Sequence, residues 1–151
     1  MIINKCRLCK SKKMFKFLDL GFHPPSDQFK NKNDLDKPTT YYPLKVYNCS
    51  NCGFKQLNYV VEPEILYQEN YPYESSITKA GKKHWFEFAE TVVKEYKIKK
   101  KDLAVDIGSN TGVLLTGFKK NKCRIVGIDP APNICKIARK RGIPTINSFF
   151  N

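Results

Sequence analysis

No apolar run approaches the ~20 residues that a bilayer-crossing helix needs, so a helical membrane protein is excluded. The start, Met1-Ile2-Ile3-Asn4-Lys5, turns polar at its fourth residue and lacks the apolar stretch of a secretory leader. Arginine is scarce: Arg7, Arg124, Arg139 and Arg141 are four of 27 cations. Proteins that read bases and phosphates favour the bidentate arginine fork. Acidic residues are also few, 14 in all, yet the resulting +13 charge is not concentrated. Residues 1–60 hold 11 basic and 4 acidic groups (+7), and residues 61–151 hold 16 and 10 (+6). Only Lys97, Lys99, Lys100 and Lys101 form a local run. These shortages argue against a dedicated nucleic-acid face and against a membrane partner, and a soluble cytoplasmic protein is expected. Disorder is excluded by the 41% hydrophobic content. The 151 residues can form one ordinary domain or two small ones.

Cysteine is the first positive signal. Four of the six form two CxxC pairs, Cys6 with Cys9 and Cys49 with Cys52. Each pair can turn two thiolates toward one ion, and two pairs complete a soft tetrahedral shell suited to zinc. With no open position, such a site is structural. Two redox dithiols are the other reading, but paired CxxC units in a reducing compartment point to metal. Gly53 follows the second pair, where a knuckle often needs positive φ, and Lys10 holds the matching place after the first.

The 39 residues between the pairs are enough for strands of their own. Apolar content and alternation predict strands at 15–20, 42–47 and 54–61. Consecutive prolines make 21–27, with His23, a loop. From Glu62 to Ser76 the chain is rich in Pro, Glu and Tyr and reads as a joining segment. A helix follows over about 78–96, its apolar stripe being Trp85, Phe88, Ala89, Val92 and Tyr96. His84 sits beside that stripe.

The second positive signal is DIGSNTGVLL at 106–115. Residues 103–107 read as a buried parallel strand, and Gly108 and Gly112 allow a tight turn into a helix beginning near Thr111. A second strand, 124–129, ends in Asp129, 21 residues after Gly108. That is where the acid of a β-α-β nucleoside site meets the ribose hydroxyls. A helix over 132–141 and a strand near 144–147 complete the pattern. Asn110 replaces the second glycine that a dinucleotide's pyrophosphate requires, which argues against NAD or FAD. S-adenosylmethionine carries no phosphate and fits better, and Asp106 can help orient that cation.

Taken in order, CRLC, LGFHPPSDQF, PLKVYNCSNCGFKQL, YPYESS with its following helix, DIGSNTGVLL and GIDPAPN resemble the sugar C-methyltransferases of deoxysugar biosynthesis. The likeness covers nearly all of the chain. It implies an α+β zinc-binding N-terminal domain (1–61), a linker or active-site segment (62–77), and a partial α/β Rossmann-like domain (78–151) that is the first half of a methyltransferase domain. It implies S-adenosylmethionine as methyl donor and a nucleotide-linked keto-sugar as acceptor. Gly108, Ser109, Asn110, Gly112 and Asp129 would line the donor pocket. Tyr71, Tyr73, Ser75 and Ser76 would lie on the active-site side of the linker, with His84 the candidate base. Glu74 departs from the family, where His often follows the YxY.

The family's sheet has seven strands, and this sequence stops just after the third. The expectation is therefore a short or split chain with weak or no activity alone, which a companion chain could complete, and with 103–107 as a sheet edge. The rival reading is a non-enzymatic zinc-ribbon module that binds nucleic acid or a protein through its lysines. A steep salt dependence of binding would mark that alternative.

Overall fold

A computed structural model describes residues 1–67 and 71–150; residues 68–70 of the expected joining segment, and Asn151, lie outside the described residues. The chain divides into two compact units, Met1–Leu66 and Tyr67–Asn151.

In the first unit, β1 (Met14–His23), β2 (Tyr42–Cys49) and β3 (Lys55–Leu57) form an antiparallel sheet in the order β1-β2-β3. The first strand runs further than its sequence suggests, because Phe22 and His23 still pair with Pro43 and Tyr42. Gly21, expected to open a loop, lies instead in a bulge where the register shifts, its N–H held by Asp19 Oδ1 at 3.0 Å. The strand expected over 54–61 ends at Leu57. Beyond it the chain turns to the N-terminus: Tyr59 bridges Ile2, and the Val60 N–H donates to the Met1 carbonyl at 2.9 Å.

What this unit lacks is an apolar interior. Among its described residues only Cys6, Cys49 and Gln56 are buried, while Phe15, Phe17, Leu18, Leu20 and Phe22 of β1 are exposed. A unit of this size without such a core needs another anchor. After the sheet, α1 (Pro63–Tyr67) begins on proline, whose fixed φ suits the first helical position.

The second unit opens with α2 (Lys79–Glu95), close to its predicted bounds. Thr78 caps it, its Oγ1 accepting the Gly81 N–H at 3.0 Å. The predicted stripe holds in part: Ala89 and Val92 lie on the packed face and Trp85 is half-buried. Phe88 and Tyr96 are exposed, and Ala89, Val92 and Val93 do the packing, against Phe118 and Cys123. The helix is rotated by its neighbour: a Cβ at Gly117 would lie 2.6 Å from the Ala89 Cβ, so α2 and α3 meet at these two small residues.

Three parallel strands follow, β4 (Leu103–Ile107), β5 (Arg124–Asp129) and β6 (Thr145–Asn147), in the order β4-β5-β6. They are joined by α3 (Val113–Lys120) and α4 (Pro132–Lys140), giving two β-α-β units. Ala104 and Ile125 contact both core clusters, one around Ala89 and Phe118, the other of Leu115, Ala138 and Ile143. β4 is not buried on both faces, as its apolar run suggests. It lies at the edge of the described sheet with Leu103, Val105 and Ile107 exposed. Among the described residues no helix is long and apolar enough to cross a membrane.

Candidate functional site

Cys6, Cys9, Cys49 and Cys52 converge, all four sulfurs lying within 4.8 Å of one another. Two separations are 3.6 Å, Cys6 to Cys52 and Cys9 to Cys49. A disulfide needs about 2.05 Å. A tetrahedral ion with metal–sulfur bonds near 2.3 Å sets sulfur–sulfur edges at about 3.8 Å, so the four donors fit zinc. Both knuckles turn alike: Lys10 (φ 63°) and Gly53 (φ 74°) return their N–H to the Cys6 and Cys49 carbonyls at 2.9 and 2.8 Å. Gln56, buried beneath, accepts the Arg7 N–H at 2.8 Å and donates to the Lys5 carbonyl at 3.1 Å.

The four thiols differ in their electrostatics. A hydrogen bond from the Ser11 backbone, helped by Asn51, brings the Cys9 thiol down to about 6 despite desolvation. Cys52 is pushed up to about 12; a hydrogen bond from the Phe54 backbone opposes the shift, while desolvation and the neighbouring sulfurs outweigh it. A divalent cation would override both, since it favours four thiolates at once.

The second candidate site lies at the carboxyl ends of β4 and β5. Gly108, Ser109, Asn110, Thr111 and Gly112 turn the chain from β4 into α3, and Gly108, Asn110 and Gly112 all have positive φ. Every N–H of this turn is already committed. Gly108 and Ser109 donate to the Ile128 carbonyl at 2.8 and 3.1 Å, and Gly112 to the Ser109 carbonyl at 2.9 Å. Asn110 donates to Asp129 Oδ2 at 2.9 Å and Thr111 to Asn110 Oδ1 at 2.8 Å. A phosphate-binding turn must offer free N–H groups, and this one offers none of its five.

Two carboxylates complete the site. Asp129 is buried, its Oδ1 accepting the Ala131 N–H at 2.9 Å, so it ties the ends of both β-α turns together. Asp106 is raised above the ordinary carboxylate range, first by burial and then by the charge of Asp129. Acid without free amides is the electrostatics of a cation site. Beside it, a Cβ built at Gly108 meets nothing within 4 Å, which leaves room for a ligand. Gly112 is closed, its Cβ position lying 2.9 Å from the Ile143 side chain.

The remaining predicted residues are placed as follows. Ser109 is buried with its Oγ unpartnered, packed where a Gly127 Cβ would stand 2.5 Å away. Asn110 directs its side chain to the 71–76 segment: Oδ1 accepts the Ser75 N–H at 2.9 Å, and Nδ2 donates to the Tyr73 carbonyl at 2.9 Å. Tyr73 is half exposed, and His84 is exposed with its ring edge-on to Trp85 at 5.0 Å. Three residues that sequence reasoning passed over hold the same segment. Asn133 Nδ2 donates to the Tyr71 carbonyl at 2.8 Å, and Thr111 Oγ1 to Ser76 Oγ at 3.1 Å. Arg141 Nη1 donates to Ser76 Oγ at 2.7 Å. The one available signal was the polar character of Asn133 and Thr111 inside the two motifs.

Comparison with known proteins finds matches that cover both units. Residues 6–67 match a family model described as "Putative zinc binding domain". Over 148 residues, 98% of this chain, the sequence is 31% identical to C-methyltransferase NovU of Streptomyces niveus. The chain spans 35% of that relative's length.

Proposed function

We propose that the chain belongs to the sugar C-methyltransferase family and that its second unit binds S-adenosylmethionine at the ends of β4 and β5. The first unit carries a structural zinc on Cys6, Cys9, Cys49 and Cys52. The observation that carries the donor assignment is the turn at 108–112, whose five N–H groups are all internally bonded beside two carboxylates. Such a turn repels a pyrophosphate and suits a positively charged ligand.

In this reading the second unit is Rossmann-like, and Gly108, Ser109, Asn110, Gly112 and Asp129 surround the donor. Asp129 keeps lone pairs for the ribose hydroxyls, and Asp106 faces the positive charge. The donor supplies a methyl group bonded to a sulfonium, an electrophile of high reactivity. The acceptor is a nucleotide-linked keto-sugar. Forming a carbon–carbon bond there requires removal of the proton beside the ketone and a hydrogen bond to the resulting enolate oxygen. Tyr71 and Tyr73 are the hydrogen-bonding candidates, and His84, exposed to solvent, is the candidate base.

Calorimetric titration of the purified chain with S-adenosylmethionine and, separately, with NAD tests the reading. Saturable binding of the sulfonium compound without binding of NAD is expected. Tighter binding of NAD would overturn it.

A further inference from the structure

We infer that Asn110 is a positioning residue, whose side chain clasps the Tyr71–Ser76 segment onto the donor turn. The inference rests on the reading of that segment as the acceptor side of the proposed methyl transfer. Asn110 Oδ1 accepts three hydrogen bonds, from the Ser75 N–H at 2.9 Å, Ser75 Oγ at 3.2 Å and the Thr111 N–H at 2.8 Å. Its Nδ2 donates to the Tyr73 carbonyl at 2.9 Å. An amide oxygen has two lone pairs, so this one has no capacity left for a ligand. The residue's backbone is left-handed (φ 49°), a conformation Asn tolerates better than most, and its side chain joins the Thr111 N–H of the turn to the segment.

The clasp is continuous with the donor site. Asp129 Oδ2 holds the Asn110 N–H at 2.9 Å, so carboxylate, turn and segment form one hydrogen-bonded chain. Further ties come from three other places. Thr111 Oγ1 reaches Ser76 Oγ, and Asn133 Nδ2 reaches the Tyr71 carbonyl. Arg141 grips twice, with Nη1 on Ser76 Oγ at 2.7 Å and Nη2 3.6 Å from Glu74 Oε2. Glu74 therefore serves as an anchor in this clasp. In the ties named above the segment contributes backbone groups, two serines and Glu74, and the Tyr73 ring is half exposed.

Amide hydrogen exchange on the ligand-free chain tests this, comparing the original protein with Asn110→Ala, Asn110→Asp and Arg141→Ala. Asn110→Ala should speed exchange at residues 73–76 at least tenfold, with the amides of α3 and β5 unchanged. Asn110→Asp keeps the accepting oxygen but loses the donor to Tyr73, and should give an intermediate effect. Arg141→Ala lies outside the turn and should speed exchange at 74–76 alone, which keeps the test decisive if Asn110→Ala misfolds. Unchanged exchange at 73–76 in the Asn110 variants, or at 74–76 in Arg141→Ala, would overturn the inference. So would equal acceleration across α3 and β5. No donor is added, so failure of S-adenosylmethionine to bind would be a separate result.

Discussion

Asp106 and Asp129 end, or nearly end, two neighbouring parallel strands, and burial together with the charge of Asp129 keeps the Asp106 carboxyl above its ordinary range. A bound cation reverses that effect, because it favours the ionised form. Below the raised ligand-free value, binding must therefore expel a proton. Affinity for S-adenosylmethionine should fall as pH is lowered, by at most about tenfold per unit, and level off above that value. Asp106→Asn should flatten the profile. Titrations across the acid range check this, with the uncharged thioether product as a control of shallower slope.

Asp129 holds two backbone N–H groups in a buried place, so its loss affects folding as well as binding. Asp129→Ala should cost about 3 kcal/mol, the scale expected when two such donors lose a charged partner. Asp129→Asn, which keeps one accepting oxygen, should cost less. Urea denaturation measures both.

The two glycines of the turn should behave differently although both have φ +73°. Gly112→Ala adds a methyl 2.9 Å from Ile143 to the left-handed strain and should destabilise by about 2–4 kcal/mol. Gly108→Ala meets open space and should cost only the ~1 kcal/mol of the backbone. It should nevertheless weaken donor binding strongly, since the methyl enters the ligand's room. Thermal melts and calorimetry separate the two effects.

Removing the metal should unfold only the first unit. With Cys6, Cys49 and Gln56 its only buried described residues, that unit relies on metal binding, for which about 10–16 kcal/mol is typical of structural zinc. Chelator should abolish protection of amides in β1 and β2 while those in β5 and α4 keep theirs. Elemental analysis should find one zinc per chain, and Cys49→Ser should reproduce the chelated state.

Much of this was legible from periodicity and turn chemistry. The bounds of β4 and β5 follow from their apolar runs and end residues, and those of α2 lie close to its helical period. Four sulfurs at CxxC spacing were enough to foresee their convergence. Less visible was whatever depends on distant partners. Phe88 and Tyr96 fit a helical stripe as well as Val93 does, and only the approach of Gly117 to Ala89 selects the face. Gly21 looks like a loop residue until its strand partner shows the bulge. The Asn110 side chain could equally have served a ligand, because hydrogen bonds to Tyr73 and Ser75, more than 30 residues away, leave no periodic trace.

A crystal structure of the chain grown with S-adenosylmethionine tests the central claim most directly. The account predicts the ribose hydroxyls on the Asp129 carboxylate and the sulfonium beside Asp106, with Asn110 still bonded to Ser75. An empty cleft at saturating ligand, or the compound bound away from β4 and β5, would contradict it.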